Sequence, residues 1–398
     1  MLAATVASAS PGRLMSTPTS ISIPIARPLT GPEEEQAVAA VLRSGWLTQG
    51  AETFAFERLV AEVAGAPHAV ATNSATTALH LAFVMLGLGP GDEVLLPSYT
   101  HIATANSVRY TGATPVFVDI RRDTANIDET LLEAAITPRT RAIMAVHQVG
   151  VPAEMDAINA LADAHGLAVV EDAACAIGSS HRGRPVGSLS PITIFSFHPR
   201  KVITTGEGGM LLLHDAEQAE LARSLASHGE SVLDVDRHAA AGAVQEGFPR
   251  VGFNYRLTNM QGAIGVVQMG RLEAILAARR RLGARYGELL AGVAGVEPPP
   301  LPDHVETNFQ SYMVRITQAS ARDRDEVMAA LRAAGIATRP GISAIHHQAV
   351  YAGTERGPLP VTDEATRTHL ILPLYPQMTE AEQDEVVARL TELVEDRP

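Results

Sequence analysis

A chain of 398 residues, 46% of them hydrophobic, can bury one large α/β core, or a large unit and a small one, without staples. Its net charge of -13 excludes general electrostatic binding of nucleic acid, and no basic amphipathic stretch or span-length apolar run suits a membrane. The one cysteine, Cys175, excludes an internal disulfide and a multi-thiolate zinc site, which points to a reducing, cytoplasmic setting.

Residues 1–21 have no charged region ahead of an apolar core and read as a flexible tail, with Met1 and Met15 both open as the start. Residues 22–265 form the expected large domain. Seven short apolar or β-branched runs predict strands at 68–72, 93–97, 114–119, 141–147, 167–171, 192–197 and 209–213. Helical patterns lie between most of them, at 76–86, 102–110, 129–135 and 155–165. Strands alternating with helices predict a mostly parallel, doubly wound sheet, with ligands at the carboxyl ends of its strands.

Polar motifs fall at those ends. Ser74, Ala75 and Thr76 open a helix and offer free N–H groups to a phosphate, or they form a plain N-cap. His101 follows the second strand and either stacks on a flat ring or is a surface histidine. Asp172 either caps a helix or holds a pyridinium nitrogen. Ser196 is a further phosphate donor or a strand-end serine. Lys201 is the only lysine of the chain, and every other basic residue counted with it is arginine. Arginine cannot supply a deprotonatable amine, so Lys201, beside a Gly-rich run, is the candidate Schiff-base nucleophile.

Residues 232–247 have weak periodicity and read as a loop that closes as a lid. Asn254 has no evident local duty, whereas Thr258 or Asn259 suits the cap of a helix over 259–289. Residues 266–398 form the expected smaller α+β domain after the Pro298–Pro300 break. It has a strand at 310–316, a helix at 323–334 closed by Gly335, and a last helix at 380–393. Arg339, His346 and His347 lie in a loop interrupted by Gly and Pro that is expected to shape a substrate pocket, with 304–312 contributing.

Five runs, taken together, resemble the DegT/StrS-type sugar aminotransferases over residues 22–395. They are Ser44-Gly-Trp-Leu-Thr-Gln-Gly50, Thr111 to Asp119, Glu171-Asp-Ala-Ala174, Ser196 through Lys201 to Gly209, and Gly252 to Thr258. The resemblance implies the fold-type I architecture, pyridoxal 5'-phosphate with a pyridoxamine form, and a homodimer with shared active sites. It implies that Lys201 carries the cofactor as an internal aldimine and shuttles the proton, while Asp172 pairs with the ring nitrogen. Ser196 and the amides at Ala75 and Thr76, beside Ser74, would hold the phosphate, which Asn254 reaches from the partner subunit. His101 stands at the ring-stacking position, and Cys175 where a side chain touches the ring oxygen. Thr48, Arg339, His346 and His347 are the candidate substrate residues. The implied reaction moves an amino group from L-glutamate or L-glutamine to a keto sugar, usually nucleotide-linked, or a keto cyclitol, in ping-pong half-reactions. A pyridoxamine-dependent dehydratase of the same fold is the first rival, disfavoured because its relatives carry histidine where Lys201 stands. A cofactor-binding regulator without turnover is the second.

Overall fold

The structure, a computed structural model, describes residues 21–231, 247–354 and 356–395. The tail up to residue 20 and the expected lid, apart from Gly247, lie outside the described residues.

The large sheet follows from the apolar runs. Its strands are β1 (His68–Thr72), β2 (Glu93–Pro97), β3 (Thr114–Val118), β4 (Thr140–Val146), β5 (Ala168–Asp172), β8 (Ile192–Ser196) and β9 (Gly209–Leu213). A short hairpin, β6 (Ser180–His181) with β7 (Arg184–Pro185), intervenes. The order is β1-β9-β8-β5-β4-β2-β3, with β9 antiparallel to both neighbours and the other pairings parallel. Successive side chains serve opposite faces, as the pleat requires. Leu95, Ile143 and Ala145 enter one core with Phe56, Ile158 and Leu272, whereas Val94, Leu96, Ala142 and Met144 enter the other with Leu79, Phe83 and Val108. Burial on both faces explains why these strands are continuous apolar runs without alternation.

The helix Asn259–Leu290 starts at a capping box, in which the Thr258 hydroxyl accepts from Gln261 N–H and the Gln261 side chain accepts from Thr258 N–H. It crosses the expected domain boundary at 265 without a break. Met269, Leu272, Ile275 and Leu276 join the large core, and Leu282, Tyr286 and Leu290 join the small one. The small core covers an antiparallel sheet ordered β10 (Val296–Glu297), β12 (Tyr312–Ile316), β14 (His369–Leu372), β13 (Arg339–Pro340). Helices Arg324–Ala333 and Glu380–Glu395 pack on it through Val327, Leu331, Val386 and Leu390. Ile23, far away in sequence, is part of this same core and bridges to Ile336.

The two units are joined by buried polar contacts. Asp119, just past β3, accepts from Val361 N–H, Thr362 N–H and the Thr362 hydroxyl at 3.0, 2.8 and 2.7 Å, and so caps helix Pro360–Thr368 of the small unit. The Tyr99 hydroxyl is 2.9 Å from His369 Nδ1 and accepts from Ile342 N–H. Burial first, then the Arg315 guanidinium, lowers the His369 imidazole to about 4, so the ring is neutral and Nδ1 accepts the Tyr99 proton. The folded value lies below the ordinary histidine value of about 6.5, so the unfolded chain takes the proton first as pH falls. Stability contributed by neutral His369 is therefore complete above that ordinary value and is lost on acidification towards the folded value. We expect ~2 kcal/mol of the denaturation free energy to disappear between pH 7.5 and 5 on this account. A His369→Gln chain should show a flatter slope over the same range in urea titrations; an unaltered slope would contradict the assignment.

Candidate active site

The carboxyl edge of the large sheet brings four segments together. Ser196 ends β8 and pairs in register with Gly209, which pairs on its other side with Thr72. After Thr72 the chain turns into helix Ala75–Met85, whose start lies directly over Gly209. A Cβ on Gly209 would stand 2.4 Å from Ser74 C and 2.5 Å from Ala75 N, so only glycine lets the two backbones approach. The Ser74 hydroxyl accepts from Thr77 N–H at 3.2 Å, the ordinary N-cap role. The amides of Ala75 and Thr76 point out of the first turn without a backbone acceptor among the described residues. They form a cup for an anion with the half-positive helix end, and Ser196 stands in the same row.

Asp172 is the last residue of β5 and is buried. Its Oδ2 accepts from the Thr104 hydroxyl at 2.8 Å and its Oδ1 from Ala174 N–H at 3.2 Å. Neither donor is a cation. Glu171, one residue earlier, points to the opposite face, where it meets buried His147 at 2.7 Å and Thr193 at 3.1 Å. The pleat thus splits the Glu-Asp motif into a carboxylate hydrogen-bonded in the core and a site carboxylate.

Lys201 sits on a loop pinned from several sides. Val202 and Ile203 are buried anchors. The Thr204 hydroxyl donates to Phe197 O at 2.9 Å, and Lys201 N–H donates to His198 O at 2.8 Å. Lys201 Nζ donates to Cys175 Sγ at 3.0 Å. His101 caps helix Ile102–Arg109, its Nδ1 accepting from Ala103 N–H at 3.2 Å. Burial of the ring, then the nearby Lys201 and Arg200 cations, hold the His101 imidazole below its usual range against the pull of Asp172. His101 is therefore neutral at neutral pH with its proton on Nε2, close enough to both Lys201 and Asp172 to feel their charges.

The structure thus gathers Lys201, Cys175, Asp172 and His101 in one place, and Ser196, Ala75, Thr76 and Ser74 in the adjoining cup. Asn254 borders that cup in its own chain: its carbonyl lies 3.4 Å from Asn73 Nδ2, Asn73 N–H donates to Tyr255 O at 2.8 Å, and the residue is exposed. Thr48 is exposed on the segment that the Asn259 side chain ties to the long helix through Trp46 O. Arg339 is exposed on β13. His346, on the loop interrupted by Gly and Pro, is enclosed. It is buried, with Nδ1 2.6 Å from the Ser98 hydroxyl and Nε2 3.1 Å from Asp363, which His347 also meets at 2.9 Å.

Sequence reasoning missed Thr104, and it marked the stretch 304–312 without the roles of Asn308 and Gln310. Thr104 lies one turn after His101 and so faces the same way, a signal the sequence does carry. Asn308 donates to Cys175 O and Ile177 O, both at 2.9 Å, and Gln310 Nε2 donates to Arg200 O at 2.6 Å. They hold the lysine loop and the cysteine from the small-unit side, and no local pattern announces either.

These residues fit pyridoxal phosphate. The cup with a serine in its row suits the phosphate, the buried carboxylate suits the ring nitrogen, and the lysine amine lies at Cys175 beside a neutral imidazole that can face the ring. Comparison with known proteins agrees. The model of the DegT/DnrJ/EryC1/StrS aminotransferase family matches residues 28–391. GDP-perosamine synthase of Caulobacter vibrioides is 41% identical over 377 residues, covering 94% of this chain and 98% of that one. The solved structure of S. venezuelae DesV in complex with a ketimine intermediate superposes with a TM-score of 0.84 at 37% identity, covering 92% of this chain and 95% of DesV. A Streptococcus pneumoniae sugar aminotransferase in its PMP form superposes with a TM-score of 0.88 at 29% identity, covering 94% and 99%. The chain belongs to the DegT/DnrJ/EryC1/StrS aminotransferase family, has the fold-type I architecture, and is an aminotransferase whose cofactor is pyridoxal phosphate.

Proposed function

We propose that the protein transfers an amino group from L-glutamate or L-glutamine to the keto group of a nucleotide-diphosphate-linked sugar, in two ping-pong half-reactions. The observation that carries this reading is that the sole lysine and the buried Asp172 carboxylate both lie beside His101, next to an anion cup. The name of the Caulobacter relative supports a GDP-linked acceptor. Bound pyridoxal phosphate supplies a conjugated ring that takes up the electron pair left when a substrate C–H bond breaks. Lys201 Nζ, as a free amine, takes that proton from the donor carbon and returns a proton to the acceptor carbon in the reverse half. Asp172, held by Thr104 and Ala174, offers its charge to a protonated ring nitrogen. Ala75, Thr76 and Ser196 anchor the phosphate, and Cys175 Sγ orients the Lys201 amine. Asn254 serves the neighbouring site in a homodimer, and Arg339 and Thr48 serve the acceptor. His346 supports the acceptor loop from beneath, through Ser98 and Asp363.

The test is the visible spectrum of the protein loaded with pyridoxal phosphate, recorded with L-glutamate and, separately, with L-glutamine. One donor is expected to convert the cofactor band to that of the pyridoxamine form, and a GDP-linked keto sugar to restore it. In the same assay Arg339→Ala is expected to raise the acceptor KM about tenfold, the loss of one charge-assisted contact. A band that neither donor alters would refute the donor assignment, and an unchanged KM would refute that of Arg339.

A further inference from the structure

A second cluster of chemically capable side chains lies away from the lysine. Glu154, His181 and His304 come from three separate parts of the chain, and one ligand atom from each lies within 4.8 Å of the others. The His181 ring is fully buried, while Glu154 and His304 are 20% and 30% exposed, so the cluster opens to solvent on one side only. The two rings stand perpendicular with centroids 5.1 Å apart. The carboxylate lies between them, Oε1 2.8 Å from His304 Nε2 and Oε2 3.4 Å from His181 Nε2.

This arrangement is unsatisfied as a purely hydrogen-bonded one. His181 Nδ1 is buried without a partner, and at Nε2 it has only the long contact to Glu154. The Nε2 contact is long for a hydrogen bond, so the ring nitrogen that faces Glu154 is open to a closer partner there. Arg182 and Arg184 are near, but both pair with Asp156. Among the described residues no arginine pairs with Glu154, in a chain that uses arginine for nearly every ion pair.

We propose that Glu154, His181 and His304 bind one zinc ion, with water completing the coordination. Two bonds of about 2.0–2.1 Å meeting at a tetrahedral angle place their donors about 3.4 Å apart, the separation that His181 and Glu154 already have. Two imidazoles and a carboxylate form a donor set for zinc and similar borderline ions, not for calcium or magnesium, which require oxygen ligands. The open side admits the ion and its water.

The ion would act as a clip. His304 immediately precedes β11 (Val305–Glu306), which pairs with β6, and the same strap continues to Thr307, Asn308 and Gln310. Thr307 and Asn308 bond Gly150, Cys175 and Ile177, and Gln310 bonds Arg200 beside the lysine. Fixing His304 to Glu154 and His181 fixes the strap that holds the lysine loop.

The test uses tag-free holoenzyme dialysed against chelator and titrated with Co2+ as a spectroscopic probe, then with Zn2+ by calorimetry. One equivalent of Co2+ is expected to give intense visible d–d bands of a four-coordinate site, which Zn2+ abolishes. Half-buried His304→Gln should weaken Zn2+ binding at least tenfold with an unchanged circular dichroism spectrum, and His347→Gln should leave binding unchanged. Weak six-coordinate Co2+ bands, or Zn2+ affinity that survives His304→Gln, would overturn the proposal. Loss of binding in His347→Gln alone would also overturn it, assigning the metal to the His346, His347 and Asp363 group.

Discussion

Lys201→Arg is expected to abolish transamination, lowering kcat by at least about a thousandfold, while leaving the fold and the charge of the site in place. The arginine keeps the cation that His101 and Cys175 face. It cannot release a proton near neutral pH, so the amine that must take a proton from the donor carbon is gone. No second lysine exists to substitute for it. The decisive measurement is single-turnover conversion of donor to keto acid, with cofactor content after dialysis measured in parallel. Turnover near that of the unaltered chain would remove Lys201 from the mechanism. Loss of activity with wild-type phosphate retention would separate the amine from the anchoring groups.

Gly209→Ala is expected to raise the dissociation constant for pyridoxal phosphate about 10- to 100-fold, from one methyl group on a residue that need not touch the cofactor. The added carbon would meet Ser74 C and Ala75 N at 2.4 and 2.5 Å. These are backbone atoms at the first turn of a helix, so no side chain can swing away. The helix start must retreat, and with it the amides of Ala75 and Thr76. Overpacking of this kind costs about 1–3 kcal/mol, which gives the expected factor in affinity. Gly89→Ala, where nothing lies within 4 Å of the added carbon, is the matched control and should be neutral. Equal cofactor affinity in the two variants would show that the helix start does not hold the phosphate.

Much of this was legible in the chain because strand and helix periodicity are local. The seven expected strands are the strands of the sheet, with ends displaced by a residue or so, and the long helix ends one residue beyond its expected limit. The hairpin β6–β7 and its partner β11 escaped, because two-residue strands have no period to read. Lys201 stood out as the sole lysine beside a Gly-rich run, and Asp172 by its position at a strand end. The roles of Tyr99, Asp119 and Asn308 were invisible for a different reason. Their partners lie 270, 242 and 133 residues away, and a tyrosine, an aspartate or an asparagine before a turn has many local uses. His346 shows the same limit: its loop, interrupted by Gly and Pro, was legible, but its enclosure by Ser98 and Asp363, 248 and 17 residues away, was not.

The position of Ile23 has a consequence for how the molecule comes into being. Its core partners Leu282, Val296, Tyr312, Ile336, Leu370 and Val394 are all synthesised at the other end of the message. Backbone bonds from Ser22 and Ile23 to Gly335, from Ala337 to Ile23 and from Leu374 to Ile25 complete that union. During vectorial synthesis the sheet from β1 to β9 can close while this first segment still has nowhere to dock. Shortening the chain at its beginning therefore injures the unit that is made last. A deletion through residue 25 should leave a nascent product whose large sheet forms and whose C-terminal third stays open to proteases.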